Sequence, residues 1–418
     1  MAAESCHPRG LSWLARSCIP ADPARHIAVP VPISAASTTT NPPSDAEESP
    51  ISALPEELLL ECLARVPRAS LPPLPAVCRR FAALLASHGF LHLRRAHGRL
   101  RPCLLAVSVS SAHGTFARAL LQLGASTGPE LEVAALPLPS PLLHCAGSSA
   151  AFAHARAVAL GREVFLIGRG ATLRVDALTG AARACAPTLF PRKKFAAAAV
   201  GGRIYVAGGT ARAATVEEYD PAADAWRYGC AGAAAGGVFY VAGGVAVSGH
   251  PGGDGAPRAL EAHACAGSVD ALRVASGAWA WSARPRAVPG GGCVVGACGA
   301  RDGHLYVVAS HAVDLSFWRW SGGANRGGGA CGWVALEAPP VPRGSVGLGM
   351  AVRVAMAGMG GDRVAAVVNV AAVRGHNAAG GGALEGMVLV YDIGGGKWSR
   401  APDLPPGFRR AACAAVEC

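Results

Sequence analysis

The chain has 418 residues, of which 51% are hydrophobic and 16% charged, with a formal net charge of +11. This composition excludes an intrinsically disordered chain and indicates a globular protein with a large core, long enough for two or three domains. No run of eighteen uninterrupted apolar residues occurs, so no membrane span is predicted, and the scattered basic residues argue against a nucleic-acid partner, which needs a dense basic surface.

The 14 cysteines are spread over the chain without a C-x-x-C pair. Zinc sites require such pairs or His and Cys at equivalent spacing, so no metal site is predicted. The N-terminus shows no secretory segment. We therefore expect free thiols, mostly buried, in a reducing compartment such as the cytoplasm or the nucleus.

Residues 1–50 are rich in Ser, Thr, Pro and Ala and are predicted to be disordered. The part before Asp45 also fits, more weakly, the Arg-rich and Ser-rich composition of a transit peptide. A short apolar patch formed by Leu11, Trp13 and Leu14 is suited to docking on a partner.

Residues 51–95 are predicted to form a small helical domain. The sequence Leu-Pro-Glu-Glu at 54–57 is typical of a helix start, and this helix must end before Pro67. A second helical pattern follows Val77. Prolines at 72, 73 and 75 would cost about 3 kcal/mol in a helix interior, so the second helix is predicted to start only at residue 75 or later. Residues 94–101 are predicted to be a short basic linker.

Residues 104–109, 116–123 and 131–136 have strand patterns. Their lengths suit the second, third and fourth strands of a four-stranded sheet whose first strand is missing from this part of the chain. Residues 410–418 have no other strand to pair with and are predicted to supply it. The two ends of the region 101–418 would then close one ring, which removes unpaired sheet edges.

The region 195–226 holds the clearest repeat unit, a series of strands punctuated by paired glycines, with an aromatic pair Tyr219 and Trp226 seven residues apart. Its glycine pair Gly208-Gly209 recurs as Gly243-Gly244, and its Tyr-Asp…Trp half recurs at residues 391–398, ending in Trp398. We expect the glycines to allow close backbone approach and the aromatic residues to pack between sheets.

The repeats follow one another at irregular intervals. Tyr205 and Tyr240 are 35 residues apart and Tyr240 and Tyr306 are 66 apart, a mean near the period of roughly 50 that kelch repeats show. Further sheets are predicted at residues 153–190, 195–226, 231–281, 293–333 and 347–398, which gives six in all. The chain after Trp226 is unexpectedly short, which indicates a shortened sheet edge or a missing segment. Glycine-rich insertions at 245–268 and 321–330 are predicted to be long loops.

Catalytic signatures are few in the sequence. It contains no G-x-S-x-G, no H-E-x-x-H and no phosphate-binding loop of the Walker type. The glycines of Gly327-x-Gly329-x-x-Gly332 match a dinucleotide-binding spacing but open no helix. His304, His311 and His376 could line one face of the repeats. We therefore predict a non-catalytic protein without a cofactor.

The repeats resemble kelch motifs, and the segment from Leu54-Pro55 through Val77-Cys78-Arg79-Arg80-Phe81 resembles the F-box. In tandem they are similar to the plant F-box/kelch-repeat proteins. This resemblance implies a mainly β fold, a six-bladed β-propeller at 101–418 preceded by the helical F-box at 51–95. It also implies contacts with the Skp-family adaptor, directly or through the helix packing beneath, from Leu54, Pro55, Leu58, Leu63, Val77, Cys78 and Phe81.

The same resemblance implies a function. The chain would be the substrate receptor of an SCF ubiquitin ligase, joined through the Skp adaptor to a cullin, with its propeller holding a protein substrate. Related receptors act on enzymes of phenylpropanoid and flavonoid synthesis, and residues 390–418 resemble a flavonoid-related member more closely than the rest of the chain does. The alternative is a kelch scaffold that recruits no ligase, which the prolines at 72–75 favour because the family has a helix there.

Overall fold

The computed structural model of the chain describes residues 50–51, 53–109, 116–123, 128–139, 142, 148–209, 216–228, 238–242, 269–273, 279–280, 287–311, 313–321, 332–347, 350–372, 384–408 and 411–418. The chain divides into two compact units, Met1–Ala53 and Leu54–Cys418. Nearly all of the first unit, including the segment predicted to be disordered, lies outside the described residues.

The second unit begins with short helices. They are α1 (Glu56–Arg65), the 3-10 turns Arg68–Ser70 and Leu74–Ala76, α2 (Arg79–Ala86) and α3 (His88–Ala96), with a further short helix, α4 (Ser148–Phe152), between two sheets. As predicted, α1 ends before Pro67. The expectation of a linker from residue 94 is wrong, because α3 continues to Ala96. The Ser87 hydroxyl caps α3 by accepting a hydrogen bond from the Phe90 amide at 3.2 Å.

The strands form antiparallel sheets, numbered here along the chain. Sheet 1 contains β1 (Pro102–Val109), β2 (Phe116–Leu123), β3 (Pro129–Leu136) and β23 (Ala412–Glu417). Sheet 2 contains β4 (Arg156–Leu160), β5 (Glu163–Ile167), β6 (Thr172–Asp176) and β7 (Ala182–Cys185). Sheet 3 contains β8 (Ala196–Val200), β9 (Arg203–Ala207), β10 (Val216–Asp220) and β11 (Ala225–Tyr228).

The remaining sheets follow in the same way. Sheet 4 contains β12 (Val238–Ala242), β13 (Val269–Arg273) and β14 (Trp279–Ala280). Sheet 5 contains β15 (Cys293–Gly299), β16 (Leu305–Ser310), β17 (Leu315–Ser321) and β18 (Gly332–Leu336). Sheet 6 contains β19 (Met350–Met359), β20 (Arg363–Ala372), β21 (Leu384–Asp392) and β22 (Lys397–Arg400).

The protein is mainly β with a small helical region at its start, as predicted. Five sheets have the four strands of a propeller blade, whereas sheet 4 has three strands among the described residues. The expected shortening of sheet 3 is wrong, because Trp226 lies inside its fourth strand, β11, and completes that sheet. The predicted loops at 245–268 and 321–330 lie outside the described residues, except for Ser321, which ends β17.

The last strand of the chain closes the first sheet, which confirms the predicted ring closure. Strand β23 pairs with β1 in a register that runs from Pro102 opposite Glu417 to Val107 opposite Ala412. The amides of Arg101 and Cys418 each donate to the other's carbonyl at 2.9 Å, which continues the pairing to the final residue.

Buried apolar clusters lie between neighbouring sheets. They join sheets 2 and 3, 3 and 4, 4 and 5, 5 and 6, and 6 and 1. The largest lies between sheets 1 and 2 and continues into the helical region through Leu63, Leu85 and Phe90. A single sheet has two faces to cover, so each sheet depends on its neighbours for burial.

Candidate functional site

Exposed apolar side chains are concentrated in the helical region. Among the described residues of the unit Leu54–Cys418, large apolar side chains are exposed at six positions, and three of these lie here: Leu54 (37% exposed), Leu58 (55%) and Val77 (64%). Pro55 and Cys78 beside them are also exposed. Clustered exposed apolar groups on a small domain mark an interaction surface.

These residues are brought together by the packing of α1 against α2. The Arg80 guanidinium at the start of α2 donates a hydrogen bond to the carbonyl of Leu54, at the start of α1. Leu58 lies in the first turn of α1, four residues after Leu54. The term docking face is used below for Leu54, Pro55, Leu58, Val77 and Cys78.

Two of the predicted adaptor-contact residues lie deeper. Leu63 is 4% exposed and belongs to the core cluster that the helices share with sheets 1 and 2. Phe81 is half-buried and packs against the same cluster. Leu63 therefore supports the helices from beneath, and Phe81 lies at the boundary between the core and the surface.

The prolines at 72, 73 and 75 do not interrupt an α-helix. They lie in and beside the 3-10 turn Leu74–Ala76, which is short enough to accommodate them. Cys78 then caps α2, since its Sγ accepts a hydrogen bond from the Phe81 amide at 3.4 Å. The prediction that the second helix starts after the prolines is confirmed, and Val77 is presented on the turn that precedes this helix.

The helices are fastened to each other by a buried arginine. Arg94 of α3 is 1% exposed, and its guanidinium donates to the carbonyls of Val66 at 2.7 Å and Ala64 at 3.2 Å. These carbonyls lie at the C-terminus of α1, where backbone acceptors lack helical partners and a cation is favoured. Burial lowers the pKa of Arg94, yet an arginine stays charged at neutral pH.

Ion pairs then fasten the helical region to the sheets. Arg68 contacts Glu132 of β3 at 2.6 Å, and Arg95 of α3 contacts Glu417 of β23 at 2.9 Å. Hydrogen bonds from Arg95 and from Arg301 hold the pKa of the Glu417 carboxyl below its ordinary value. The docking face is thus held in a fixed orientation relative to sheet 1.

Replacing Arg94 by methionine is expected to lower the free energy of unfolding by about 2 kcal/mol. Each hydrogen bond from a charged donor to a carbonyl contributes roughly 1.5–3 kcal/mol. Part of the lost stabilisation is offset because the substitution also removes a buried charge. Urea unfolding of the full chain measures the effect. Arg99→Met, at an exposed position nearby, is the control and should leave stability unchanged. Equal stability of the two variants would contradict the assigned role of Arg94.

The aromatic residues singled out from the sequence occupy matching positions in two sheets. Tyr219 lies opposite Trp226 in sheet 3, with ring centroids 5.0 Å apart, and Tyr391 lies opposite Trp398 in sheet 6, at 5.2 Å. Each tryptophan Nε1 donates to a carbonyl just after the last strand of the preceding sheet, Ala186 at 2.9 Å or Glu337 at 2.7 Å. This pair therefore links neighbouring sheets.

Glycine is required at positions 208 and 209 for two different physical reasons. Both residues have positive φ, 75° and 74°, which side chains other than glycine rarely adopt. At Gly209 a Cβ would also lie 2.4 Å from the Lys193 carbonyl oxygen, whereas at Gly208 it would meet nothing. Gly243 and Gly244 lie outside the described residues.

The described residues offer little for catalysis. They contain no group of three or more His, Cys, Asp or Glu side chains that could hold a metal ion. His311 pairs with the Ser316 hydroxyl at 2.8 Å, and the amide of His304 donates to Asp302, while His376 and the glycines at 327 and 329 lie outside the described residues. Burial raises the pKa of Tyr219, whose hydroxyl also donates to Asp224. These contacts are local and structural.

The cysteines that the structure describes differ in their burial. Eight cysteines are described and all are free; Cys103, Cys413 and Cys418 are buried as predicted, whereas Cys62, Cys78 and Cys293 are exposed. Burial raises the pKa of Cys413 to about 12, so this thiol is neutral. No helix among the described residues is long and apolar enough to cross a membrane.

Sequence reasoning missed Arg94 because it assigned residues 94–101 to a linker, whereas α3 continues to Ala96. The signal was available, since Ser87 is a favourable helix cap and Phe90 and Arg94 follow at a spacing of four residues. This sequence pattern could not show that the Arg94 guanidinium is buried.

Comparisons with known proteins agree with this arrangement. Residues 51–93 match the F-box domain family and residues 191–229 match the Kelch motif family. An F-box/kelch-repeat protein of Arabidopsis thaliana is 43% identical over 444 aligned positions, which cover 99% of this chain and 100% of the relative. A second one is 30% identical over 184 positions, 41% of this chain and 65% of the relative. A putative F-box protein of the same plant is 46% identical over 61 positions, 15% of this chain and 47% of the relative.

Proposed function

The chain belongs to the plant F-box/kelch-repeat proteins, and we propose on that basis that it is the substrate-recognition subunit of an SCF ubiquitin ligase. The docking face binds a Skp-family adaptor, which joins the chain to a cullin, and the propeller binds the protein to be ubiquitinated. The observation that supports the proposal is the exposure of Leu54, Leu58 and Val77 on the outer side of a helical region whose inner side is buried.

The docking face has enough apolar surface to bind a partner. Complete burial of one Leu or Val side chain contributes roughly 1.5–3 kcal/mol. Leu58 and Val77 expose more than half of their surface, and Leu54 more than a third. A few such central side chains supply most of the binding energy in typical interfaces. The fixed attachment to sheet 1 reduces the conformational entropy lost on binding.

The chain itself performs no bond chemistry in this proposal. It holds the target near the charged conjugating enzyme, so that a bimolecular encounter becomes an effectively intramolecular one. A fixed angle between the docking face and the propeller helps, because effective concentration depends on geometry.

We also infer that the propeller has six blades. Sheet 4 has three strands among the described residues, but buried clusters join it to sheet 3 through Phe239 and to sheet 5 through Val269. It thus occupies a place in the ring equal to that of the other five sheets.

Reconstitution tests the main proposal. The purified full chain, the Skp adaptor and the N-terminal part of a cullin are mixed and separated by size-exclusion chromatography. The proposal expects a single complex containing all three proteins. A chain that elutes apart from the adaptor and cullin would overturn it.

The alternative is a kelch scaffold that recruits no ligase. The observation in its favour is the 3-10 turn Leu74–Ala76, which stands where the family has a helix. In the same chromatography a scaffold would elute apart from the adaptor and the cullin.

We propose an enzyme of phenylpropanoid or flavonoid synthesis, such as phenylalanine ammonia-lyase or chalcone synthase, as the target. The support is the likeness of residues 390–418 to a flavonoid-related receptor. Pull-down of the two purified enzymes by the full chain tests this choice; binding of neither would contradict it.

The free thiols support a location in the cytoplasm or nucleus, which imaging of a tagged chain would test.

A further inference from the structure

Lysine is rare in this chain and occurs at two places. Among the 38 basic residues, Lys193, Lys194 and Lys397 are the lysines, and all three are exposed. No lysine precedes Lys193, so the helical region contains none. A ligase subunit that brings other proteins to a charged conjugating enzyme also brings its own lysines near that enzyme. The position of these lysines in the propeller therefore decides which of them can accept ubiquitin.

The helical region lies at one end of the propeller, called the helix end below. The inner strands β23, β4, β8, β15 and β19 line a cavity at the centre of the ring. Arg162, in the turn that follows the inner strand β4, donates to the carbonyl of Leu85 in α2. At the end of the inner strand β23, Glu417 contacts Arg95 of α3 and also Arg301, from the turn after β15, each at 2.9 Å. The helix end is therefore the end at which the inner strands finish.

Lys193 and Lys194 lie at the opposite end, called the far end below. They directly precede Phe195 and the inner strand β8. The Phe195 carbonyl accepts a hydrogen bond at 2.9 Å from Arg156, the first residue of the inner strand β4, so both strands start at the same end of the ring. The Lys193 amide donates to the Gly209 carbonyl at 2.9 Å, which anchors this segment beside the end of β9. The two lysines are thus held where the inner strands begin.

Lys397 lies at the helix end. It begins β22, after the turn that follows β21. In this turn the Ile393 amide donates to the Asp362 carbonyl at 2.8 Å, and Asp362 lies between β19 and β20, where the inner strand β19 has finished. Lys397 and the lysine pair are therefore at opposite ends of the propeller.

Longer connections leave the sheets at the far end. In sheets 3 and 6 the second strand returns to this end, and residues 208–215 and 373–383 connect it to the third strand. The turns between the first and second strands of the same sheets, at the helix end, are residues 201–202 and 360–362. Binding residues lie disproportionately on loops that a rigid scaffold positions. The far end therefore offers the longer connections to a target protein.

We propose that Lys193 and Lys194 are the site at which this chain itself is ubiquitinated, and that Lys397 is not used. The inference rests on the proposed function, since the docking face must first recruit the ligase. A conjugating enzyme that reaches a target at the far end also reaches the lysine pair, whereas Lys397 lies at the end that carries the helices and the adaptor. A bound target competes for the same charged enzyme, so the chain is modified mainly when no target is bound.

The transfer needs no reactant beyond the charged enzyme. The uncharged ε-amine of Lys193 or Lys194 attacks the carbonyl carbon of the thioester that joins ubiquitin to the enzyme's cysteine. A C–N isopeptide bond forms and the C–S bond breaks. The cysteine leaves as a thiol with the proton that the amine releases.

Reconstituted ubiquitination without a target protein tests this site. The full chain, the adaptor and the cullin with its RING subunit are assembled with the charged enzyme and with ubiquitin whose own lysines are methylated, so that each transfer adds one ubiquitin. Mass spectrometry of the digested chain locates the modified residues. We expect ubiquitin on Lys193 or Lys194, and a loss of modification of about tenfold or more when both are replaced by arginine. Lys397→Arg is the matched control and should be modified like wild type.

Two controls separate this inference from the proposed function. Discharge of ubiquitin from the charged enzyme onto free lysine shows that the assembled ligase is active, and chromatography shows that each variant still binds the adaptor. An active ligase whose wild-type chain stays unmodified or carries ubiquitin on Lys397 would overturn this inference while the proposed function stands. Modification of the Lys193→Arg, Lys194→Arg variant to the wild-type extent would do the same. If the chain fails to bind the adaptor, both are overturned.

Discussion

Replacing Val77 by aspartate is expected to weaken binding of the Skp-family adaptor about 30-fold or more. Val77 is 64% exposed, the largest exposed fraction among Leu54, Leu58 and Val77 of the docking face. In the complex an aspartate there would bring an unpaired charge into an apolar interface, and a loss of about 2 kcal/mol corresponds to a 30-fold change in Kd. Because the position precedes α2, where acidic residues are favourable, folding should be unaffected.

A matched control exists elsewhere in the same chain. Val313, between β16 and β17, is 71% exposed and is also replaced by aspartate. Adaptor affinity of both variants is measured by calorimetry or biolayer interferometry, with circular dichroism to show that both fold. Equal affinity for the two variants would remove Val77 from the interface.

Replacing Glu217 by alanine is expected to lower the free energy of unfolding by about 3–5 kcal/mol. The side chains of Glu217 and Arg192 are fully buried, and they contact each other at 2.5 Å. Glu217 also accepts from the Leu189 amide at 2.7 Å, and Arg192 donates to the Gly208 carbonyl at 2.6 Å. Removing one partner leaves a buried charge without its counterion, which is the costly way to break such a pair.

Denaturant unfolding of the full chain measures this loss. Asp403→Ala breaks the exposed pair with Arg400 and should leave the unfolding midpoint unchanged, because exposed ion pairs contribute little. Replacing Glu217 and Arg192 together by leucine should recover most of the loss. If Glu217→Ala is as stable as Asp403→Ala, this buried pair does not hold the segment between sheets 2 and 3.

The repeated sheets could be predicted from the sequence because the residues that mark their turns and packing contacts are close together in the chain. Paired glycines and the Tyr219 and Trp226 spacing each reflect a contact within one sheet or with the next. The closing strand at 412–417 could be predicted from a count, since sheet 1 lacked one strand and the chain ended with one unpaired. The extent of sheet 3 was misjudged because the position of Trp226 within its strand is a matter of register, which composition does not encode.

The candidate site was less predictable. Leu58 and Leu63 are both apolar residues of one short helix, and only the packing against sheets 1 and 2 decides that Leu58 is exposed and Leu63 buried. Arg156 and Arg353 both line the cavity at the centre of the ring, although they are 197 positions apart in the sequence. Their proximity follows from ring closure, which no local pattern expresses.

The most direct test of the proposed function is the binding of purified Skp adaptor to the full wild-type chain, measured beside a Leu54→Ala, Pro55→Ala double variant. Both residues are exposed at the start of α1. We predict a stoichiometric complex with the wild type that the double variant fails to form. Absence of binding by the wild type would contradict the account and would leave a kelch interaction module whose F-box does not engage the adaptor.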